Sequence, residues 1–273
     1  FVTLLGLGQR TSSRKQNGVD VRVFRAHHFL GIQKFAFMFS LSMLKYLFSS
    51  VRQFDVVHVH LSRDMVVSPA AMIATLRRVP VVVQTHGMIR SDGRILAWIY
   101  DSSVLRRLFT RAGVFLSLGE VESTELLKLG APAHKVTALG NGIELPPSWN
   151  PEPFEEKTVI FVGRLESRKN PVAFVESAAQ LRLHHNIRFV MAGPDQGELA
   201  AVVKSARDAL LTNFQYVGPL AGPEDAELMK TASVLVLPAR DEPFGMVIIE
   251  ALSFGVPVVV TPTCALARAE IGR

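Results

Sequence analysis

The sequence predicts an α/β protein built from two doubly wound halves in tandem, and three observations predict it. Short runs rich in valine, isoleucine and phenylalanine alternate with longer helix-forming stretches, the pattern of parallel strands joined by crossover helices. That alternation breaks once, at a proline-dense tract over 141–153, and then restarts. Several of the runs end on glycine or a polar residue, and in doubly wound sheets ligands bind beyond those strand ends.

In the first half, strands are predicted over 19–24, 55–60, 79–84 and 114–118, where valines dominate. Helices are predicted over 65–77, 95–111 and 121–129. The tract Asn141-Gly142-Ile143-Glu144-Leu145-Pro146-Pro147 and the prolines after it cannot propagate helix or strand, so a linker is expected there. Domains are accordingly drawn at 1–145 and 146–273. In the second half, strands are predicted over 158–162, 187–192, 214–217, 233–237 and 256–261, and helices over 171–183, 197–211, 224–231 and 244–254.

The 273 residues suffice for two α/β domains but are slightly few for two complete ones. The chain opens directly on the strand-like Val2-Thr3-Leu4-Leu5 and stops just after another strand, so it is read as a fragment incomplete at both ends. Cys264 is the single cysteine, which excludes an internal disulfide and fits a reducing, cytoplasmic location.

The net charge of +6 resides entirely in the first 50 residues, which hold seven basic residues against Asp20 alone. Such asymmetry implies that this end meets something anionic. The apolar run 29–48 lies within it. Lys34, Lys45 and several hydroxyls interrupt that run, which argues against a transmembrane helix. Two readings stay open: a core helix packed on the sheet, or an interfacial helix giving peripheral contact with the inner face of a membrane. Nucleic acid is not an expected partner, because the positive charge lacks interleaved aromatic platforms.

The chemistry concentrates in Leu237-Pro238-Ala239-Arg240-Asp241-Glu242-Pro243-Phe244-Gly245-Met246 and the helix after it. A strand ends, an acidic loop follows, and Pro243 stands where a helix can begin. Gly245 lets backbone approach a ligand, and first-turn amides suit a phosphate. Glu250 lies eight positions after Glu242, about 12 Å of helical rise, too far to share one metal. The two carboxylates could instead bind hydroxyls at opposite ends of an elongated ligand. Glu250 could also be a solvated helix residue, but its apolar neighbours argue for burial and a partner.

A second motif is Phe161-Val162-Gly163-Arg164-Leu165-Glu166-Ser167-Arg168-Lys169. Two cations at a strand's carboxyl end can clamp a diphosphate and stabilise the charge it gains on leaving. Alone, they could equally be ordinary surface cations. Gly193, after Met191-Ala192, and Leu220, after Gly218-Pro219, end further strands, where glycine usually reports turn chemistry. In the first half, His86 follows a strongly apolar strand and precedes Gly87. It is either a hydrogen-bonded structural histidine or a group presented to a cleft. Of the pair two apart on the preceding strand, His58 is expected to point into packing and His60 toward the acceptor side.

Glu242 and Glu250, seven residues between them and Pro-Phe-Gly after the first, resemble the signature of the retaining glycosyltransferases of the GT-B fold, family four. Gly255-Val256-Pro257-Val258-Val259 and Asn141-Gly142-Ile143 also follow that family's pattern, so the similarity spans nearly the whole chain. The resemblance implies two Rossmann-like domains facing a cleft. It implies that Glu242 contacts the donor sugar, that amides around Phe244 and Gly245 bind the sugar diphosphate, and that Glu250 binds the ribose hydroxyls. By the same resemblance Arg164 and Lys169 hold the pyrophosphate beside Gly163, Gly193 faces the cleft, backbone near Leu220 lies by the base, and His86 stands near the sugar and the reacting centre. The family's glycine-rich loop after its first strand and its C-terminal crossing helix have no counterpart here.

No Asp-x-Asp and no cysteine-histidine set with ligand spacing occurs, so no metal and no cofactor is expected beyond a nucleoside diphosphate sugar as donor. The expected reaction is transfer of a hexose to a hydroxyl of a carbohydrate or lipid-linked acceptor with retained anomeric configuration, in cell-envelope polysaccharide or glycolipid synthesis. The alternatives are a non-catalytic sugar-nucleotide-binding protein and a sugar-nucleotide epimerase of the same fold.

Overall fold

Strands of a parallel sheet are covered on both faces, so they form where the chain offers several consecutive apolar side chains. The computed structural model describes residues 2–29, 35–90, 95–146, 157–184, 186–220 and 222–268. Its contacts divide the chain into two units, Phe1–Gly140 and Asn141–Arg273.

The first unit opens with β1 (Thr3–Gly8), β2 (Ser12–Gln16) and β3 (Val19–Arg25), in sheet order β1-β3-β2. β1 runs parallel to β3, and β2 returns antiparallel to it. The hairpin closes at Asn17-Gly18, both at positive φ, the conformation that two-residue hairpins require. β2 is exposed along its length and carries Arg14 and Lys15 outward. β4 (His27–His28) then pairs with β5 (Met38–Phe39).

The run 29–48 is not one helix. Among its described residues, Phe35–Phe37 forms a single 3-10 turn and β5 follows. The helix α1 (Leu41–Ser50) begins only after Ser40, whose hydroxyl accepts the Met43 N–H at 3.4 Å. A serine at this position ends the upstream segment and starts the helix, whatever the apolar content on either side. Met43 and Leu47 enter the core, whereas Leu41, Lys45 and Phe48 share an outward face.

A four-stranded parallel sheet follows, built of β6 (Val57–His60), β7 (Val81–Gln84), β8 (Val114–Ser117) and β9 (Val136–Ala138), in that order. Its crossovers are α2 (Val67–Leu76), the segment α3 (Ile95–Tyr100) to α4 (Arg106–Arg111), and α5 (Glu120–Lys128). One π turn, Asp101–Leu105, joins α3 to α4. Val59, Val81, Val83 and Phe115 from the sheet pack with Ala71, Leu105, Leu108, Phe109 and Leu126 from the helices.

The second unit alternates without interruption: β10 (Lys157–Val162), α6 (Pro171–Gln180), β11 (Ile187–Ala192), α7 (Leu199–Asp208), β12 (Phe214–Gly218), α8 (Pro223–Thr231), β13 (Val234–Leu237), α9 (Met246–Ser253), β14 (Val258–Val260) and α10 (Ala265–Arg268). Its sheet is wholly parallel, in order β12-β11-β10-β13-β14. The chain winds outward from β10 to β12, then returns to the other side of β10. The strand order therefore reverses between β10 and β13, and crevices at such switch points receive ligands in doubly wound folds. Phe161, Phe174 and Phe189 pack in tilted and edge-to-face contacts through the interior of this unit, all almost fully buried. Removing a ring of that size costs about 3–5 kcal/mol.

Candidate functional site

In the second unit, Gly163, Arg164 and Lys169 follow β10, while Glu242, Phe244 and Gly245 follow β13. Both loops therefore leave the switch point. The Arg240 N–H donates to the Arg168 carbonyl at 2.7 Å and ties one loop to the other. Beside that tie, the Lys169 ammonium donates to the Glu242 carboxylate at 2.5 Å, although the two residues are 73 apart in sequence. Their side chains are only 12% and 6% exposed. An ion pair so withdrawn from water needs close geometry to offset its desolvation, and removing one partner strands the other.

Lys169 has two further N–H donors and Glu242 further lone pairs, so the pair can bind a ligand without separating. The Glu242 carbonyl accepts the Ala265 N–H at 2.9 Å, which fixes the loop from the far side. Cys264 lies buried near the same pair. Burial pushes its thiol up, with the charge of Glu242 adding to the rise, so the thiol is not poised to react.

Gly245 caps α9 at φ +83, and a Cβ there would lie 2.7 Å from the Ile248 side chain. The glycine thus gives the turn its left-handed conformation and puts no side-chain cap on the first turn of α9, where the Ile248 N–H turns back to the Gly245 carbonyl at 2.9 Å. Phe244 is buried and anchors the turn in place. Arg164 is half exposed, 3.2 Å from Glu166, with a weak contact to Gln196 at 3.5 Å. Glu250 is partly buried on α9, and burial raises its carboxyl above the usual range, with the nearby Asp225 carboxylate adding to the rise. Its charged neighbour is therefore an acid. A carboxyl in that setting favours hydrogen-bond donors such as hydroxyls.

Gly193 has a packing reason for being glycine. A Cβ there would fall 1.8 Å from the Gly163 carbonyl oxygen, so the ends of β10 and β11 can lie this close only without it. Leu220 sits partly buried beyond β12. Of the four charged groups singled out in this unit, Lys169 and Glu242 are in direct contact, Arg164 pairs within its own loop, and Glu250 faces Asp225.

In the first unit, His86 lies in the turn after β7 with φ +49, an uncommon conformation outside glycine. Its Nε2 is 2.6 Å from His60 Nδ1, and the two rings stack with centroids 4.9 Å apart. Such a hydrogen bond needs one ring nitrogen to donate and the other to accept. Burial lowers the His86 pKa; His60 lowers it further, and Glu122 opposes them.

His58 corrects the expectation that it points into packing. Residues i and i+2 share a face of a strand, so His58 joins His60 on the exposed side while Val59 enters the core. The His58 and His60 rings lie 4.8 Å apart. Glu122 was not picked out by its sequence context. Acidic residues in a helix's first turn usually complement the dipole from the surface, yet this one is 6% exposed. The available signal was its place one turn before Leu126 on the inward face of α5.

Residues 2–142 match the family of glycosyl transferase 4-like domains, and residues 148–271 match the glycosyl transferases group 1. The chain is 27% identical over 234 residues to a glycogen synthase of Mycobacterium tuberculosis, covering 80% of this chain and 54% of that protein. It is 28% identical over 246 residues to D-inositol 3-phosphate glycosyltransferase 1 of Catenulispora acidiphila, covering 79% of this chain and 58% of that one. The chain thus spans little more than half the length of these curated relatives. Among solved structures it resembles Anabaena HepE in complex with UDP, with TM-score 0.71 at 16% identity over 91% of this chain and 69% of that one. It also resembles the sucrose-phosphate synthase of Thermosynechococcus elongatus, with TM-score 0.68 at 17% identity over 93% and 68% of the respective chains. At such identities the likeness shows the fold.

Proposed function

From the premise that this chain belongs to the glycosyltransferases of the GT-B fold, we propose that it transfers a hexose from a nucleoside diphosphate sugar to an acceptor hydroxyl with retention. The observation that carries the donor half of this reading is the Lys169–Glu242 pair, set at the switch point of a doubly wound sheet beside the N-terminus of α9, which no side chain caps. Lys169 and Arg164 neutralise the diphosphate, and the α9 N-terminus adds its dipole. Glu242 accepts hydrogen bonds from the sugar, Glu250 from the ribose. His86 serves the sugar side of the same reaction. UDP and UDP-glucose are bound by the HepE structures, which supports a nucleotide-sugar donor for this chain.

In the transfer, the bond between the anomeric carbon and the diphosphate oxygen breaks and its electron pair leaves with the phosphate. The acceptor oxygen bonds to that carbon on the same face. Its proton passes to the departing phosphate oxygen. Cations held in place before the reaction stabilise the charge that develops, which is the largest single contribution in many enzymes. On this reading no divalent metal is required, and chelation leaves turnover unchanged.

The acceptor is proposed to be carbohydrate or lipid-linked, met at the cytoplasmic face of a membrane in envelope polysaccharide or glycolipid synthesis. In favour stand the basic first 50 residues and the exposed face of α1. None of the helices among the described residues is long and apolar enough to cross a membrane.

The test is a donor panel assayed for UDP or GDP release with candidate acceptors, comparing wild type with Lys169→Ala. We expect turnover to fall roughly 100-fold or more, the range for deleting one group that stabilises developing charge. Circular dichroism confirms folding, since a stranded Glu242 costs about 3–5 kcal/mol. Undiminished turnover in a folded Lys169→Ala protein would reject the phosphate role.

A further inference from the structure

We propose that Glu122 is a positioning residue for the His86 turn, stapling the carboxyl ends of β7 and β8 together through one buried carboxylate. This rests on reading His86 as part of the glycosyltransferase site. Oε1 of Glu122 accepts the Gly87 N–H at 2.5 Å and, on the same oxygen, the Thr85 hydroxyl. Oε2 accepts the Leu118 N–H at 2.7 Å. The three donors therefore come from both sides of His86 in the chain and from the end of the neighbouring strand. Thr85 is fully buried and Glu122 nearly so.

The local geometry explains why a carboxylate is needed. α5 is capped at Gly119 and begins at Glu120, so Glu122 is its third residue, where a glutamate ordinarily reaches back to the N–H of the cap residue. Here one oxygen reaches instead to the N–H of Leu118, the residue before the cap, and the other crosses to the end of the adjacent strand. Gly87 and Leu118 each present a backbone N–H, which can only donate, to different oxygens. A glutamine has one acceptor oxygen, so in either amide orientation an NH2 would face one of those N–H groups. Only a carboxylate satisfies both ends.

The staple also bears on the backbone of His86. That residue sits at φ +49, a left-handed conformation that crowds the Cβ of any residue but glycine. Its immediate neighbours Thr85 and Gly87 are the groups Glu122 holds, so the turn is pinned on both sides of the strained position. Around the imidazole itself stand His60 and His58 from β6 and Glu122 from α5. Arg90 closes the same turn, its Nε donating to the Gly87 carbonyl at 3.2 Å.

The experiment uses the full chain with ring-15N-labelled histidine, as wild type, Glu122→Gln, Thr85→Val and Thr85→Ser. In Glu122→Gln the His86 titration midpoint should move to lower pH, because the one neighbouring charge that raises it is gone, while remote His134 and His184 stay put. Thr85→Val, which keeps the charge, should shift the His86 ring resonances, and Thr85→Ser should restore them. UDP or GDP release should fall roughly 10–100-fold in Glu122→Gln with donor KM little changed, the scale of a catalytic group displaced by about 1 Å. Should Glu122→Gln fail to fold, Thr85→Val decides the matter through the same resonances. Unaltered His86 resonances and midpoint in the folded variants would overturn the proposal. If instead those signals move but His86→Ala retains full turnover, the staple stands and the catalytic reading of His86 falls.

Discussion

His86 shows how much a single side chain's setting changes its chemistry. Burial and then electrostatic repulsion from His60 favour its neutral form, and burial followed by His60 does the same at His58. Their folded pKa values lie below the unfolded value of about 6.5. Between those values the unfolded chain binds more protons, so stability is complete above about pH 6.5 and declines as the pH falls through the lowered folded values. Thermal unfolding followed from pH 7.5 to 5 should show that decline, and replacing both residues with glutamine should flatten it. An unchanged slope in the double variant would mean that other groups govern the acid limb. Lys169 and Glu242 differ in kind: neither alone looks unusual in the sequence, and their significance lies in a contact bridging 73 positions.

At the scale of elements, α1 bears on both readings of the apolar run. Its buried face, Met43 and Leu47, packs in the core, so part of the core-helix expectation holds. Its other face carries Leu41, Lys45 and Phe48 at helical spacing, with the Arg77 guanidinium 4.8 Å over the Phe48 ring. The exposed hairpin strand β2 adds Arg14 and Lys15. Basic side chains near an anionic bilayer contribute about 1 kcal/mol each. We therefore expect the chain to sediment with anionic liposomes at low salt, to be released as salt rises, and to bind several-fold more weakly as Phe48→Ser. Absence of sedimentation at low salt would rule out docking. The hairpin is no part of the expectation from hydrophobic periodicity, because an all-polar strand has no such period to reveal it.

At the scale of the whole molecule, the second unit has the topology of a nucleotide-binding fold, with the strand order reversing beside β10. A ligand that binds only the folded state raises stability by RT ln(1 + [L]/Kd), about 2.7 kcal/mol at 100 times Kd. UDP or GDP, whichever matches the donor base, should therefore raise the thermal midpoint of the full chain, and Lys169→Ala should diminish that rise. No shift with any nucleoside diphosphate would remove the donor assignment, however well the fold matches.

The sequence by itself determined the alternation of strands and helices and the residue types at each strand end, because these depend on local periodicity and turn chemistry. It also displayed the Glu242–Glu250 spacing, which one short segment contains. Only the tertiary structure decided which of those groups meet. The Lys169 contact with Glu242, the Asp225 neighbour of Glu250, the His60–His86 hydrogen bond and the reach of Glu122 across to Thr85 and Gly87 all join different elements. The order in which parallel strands lie side by side creates such contacts, and no local pattern along the chain encodes that order.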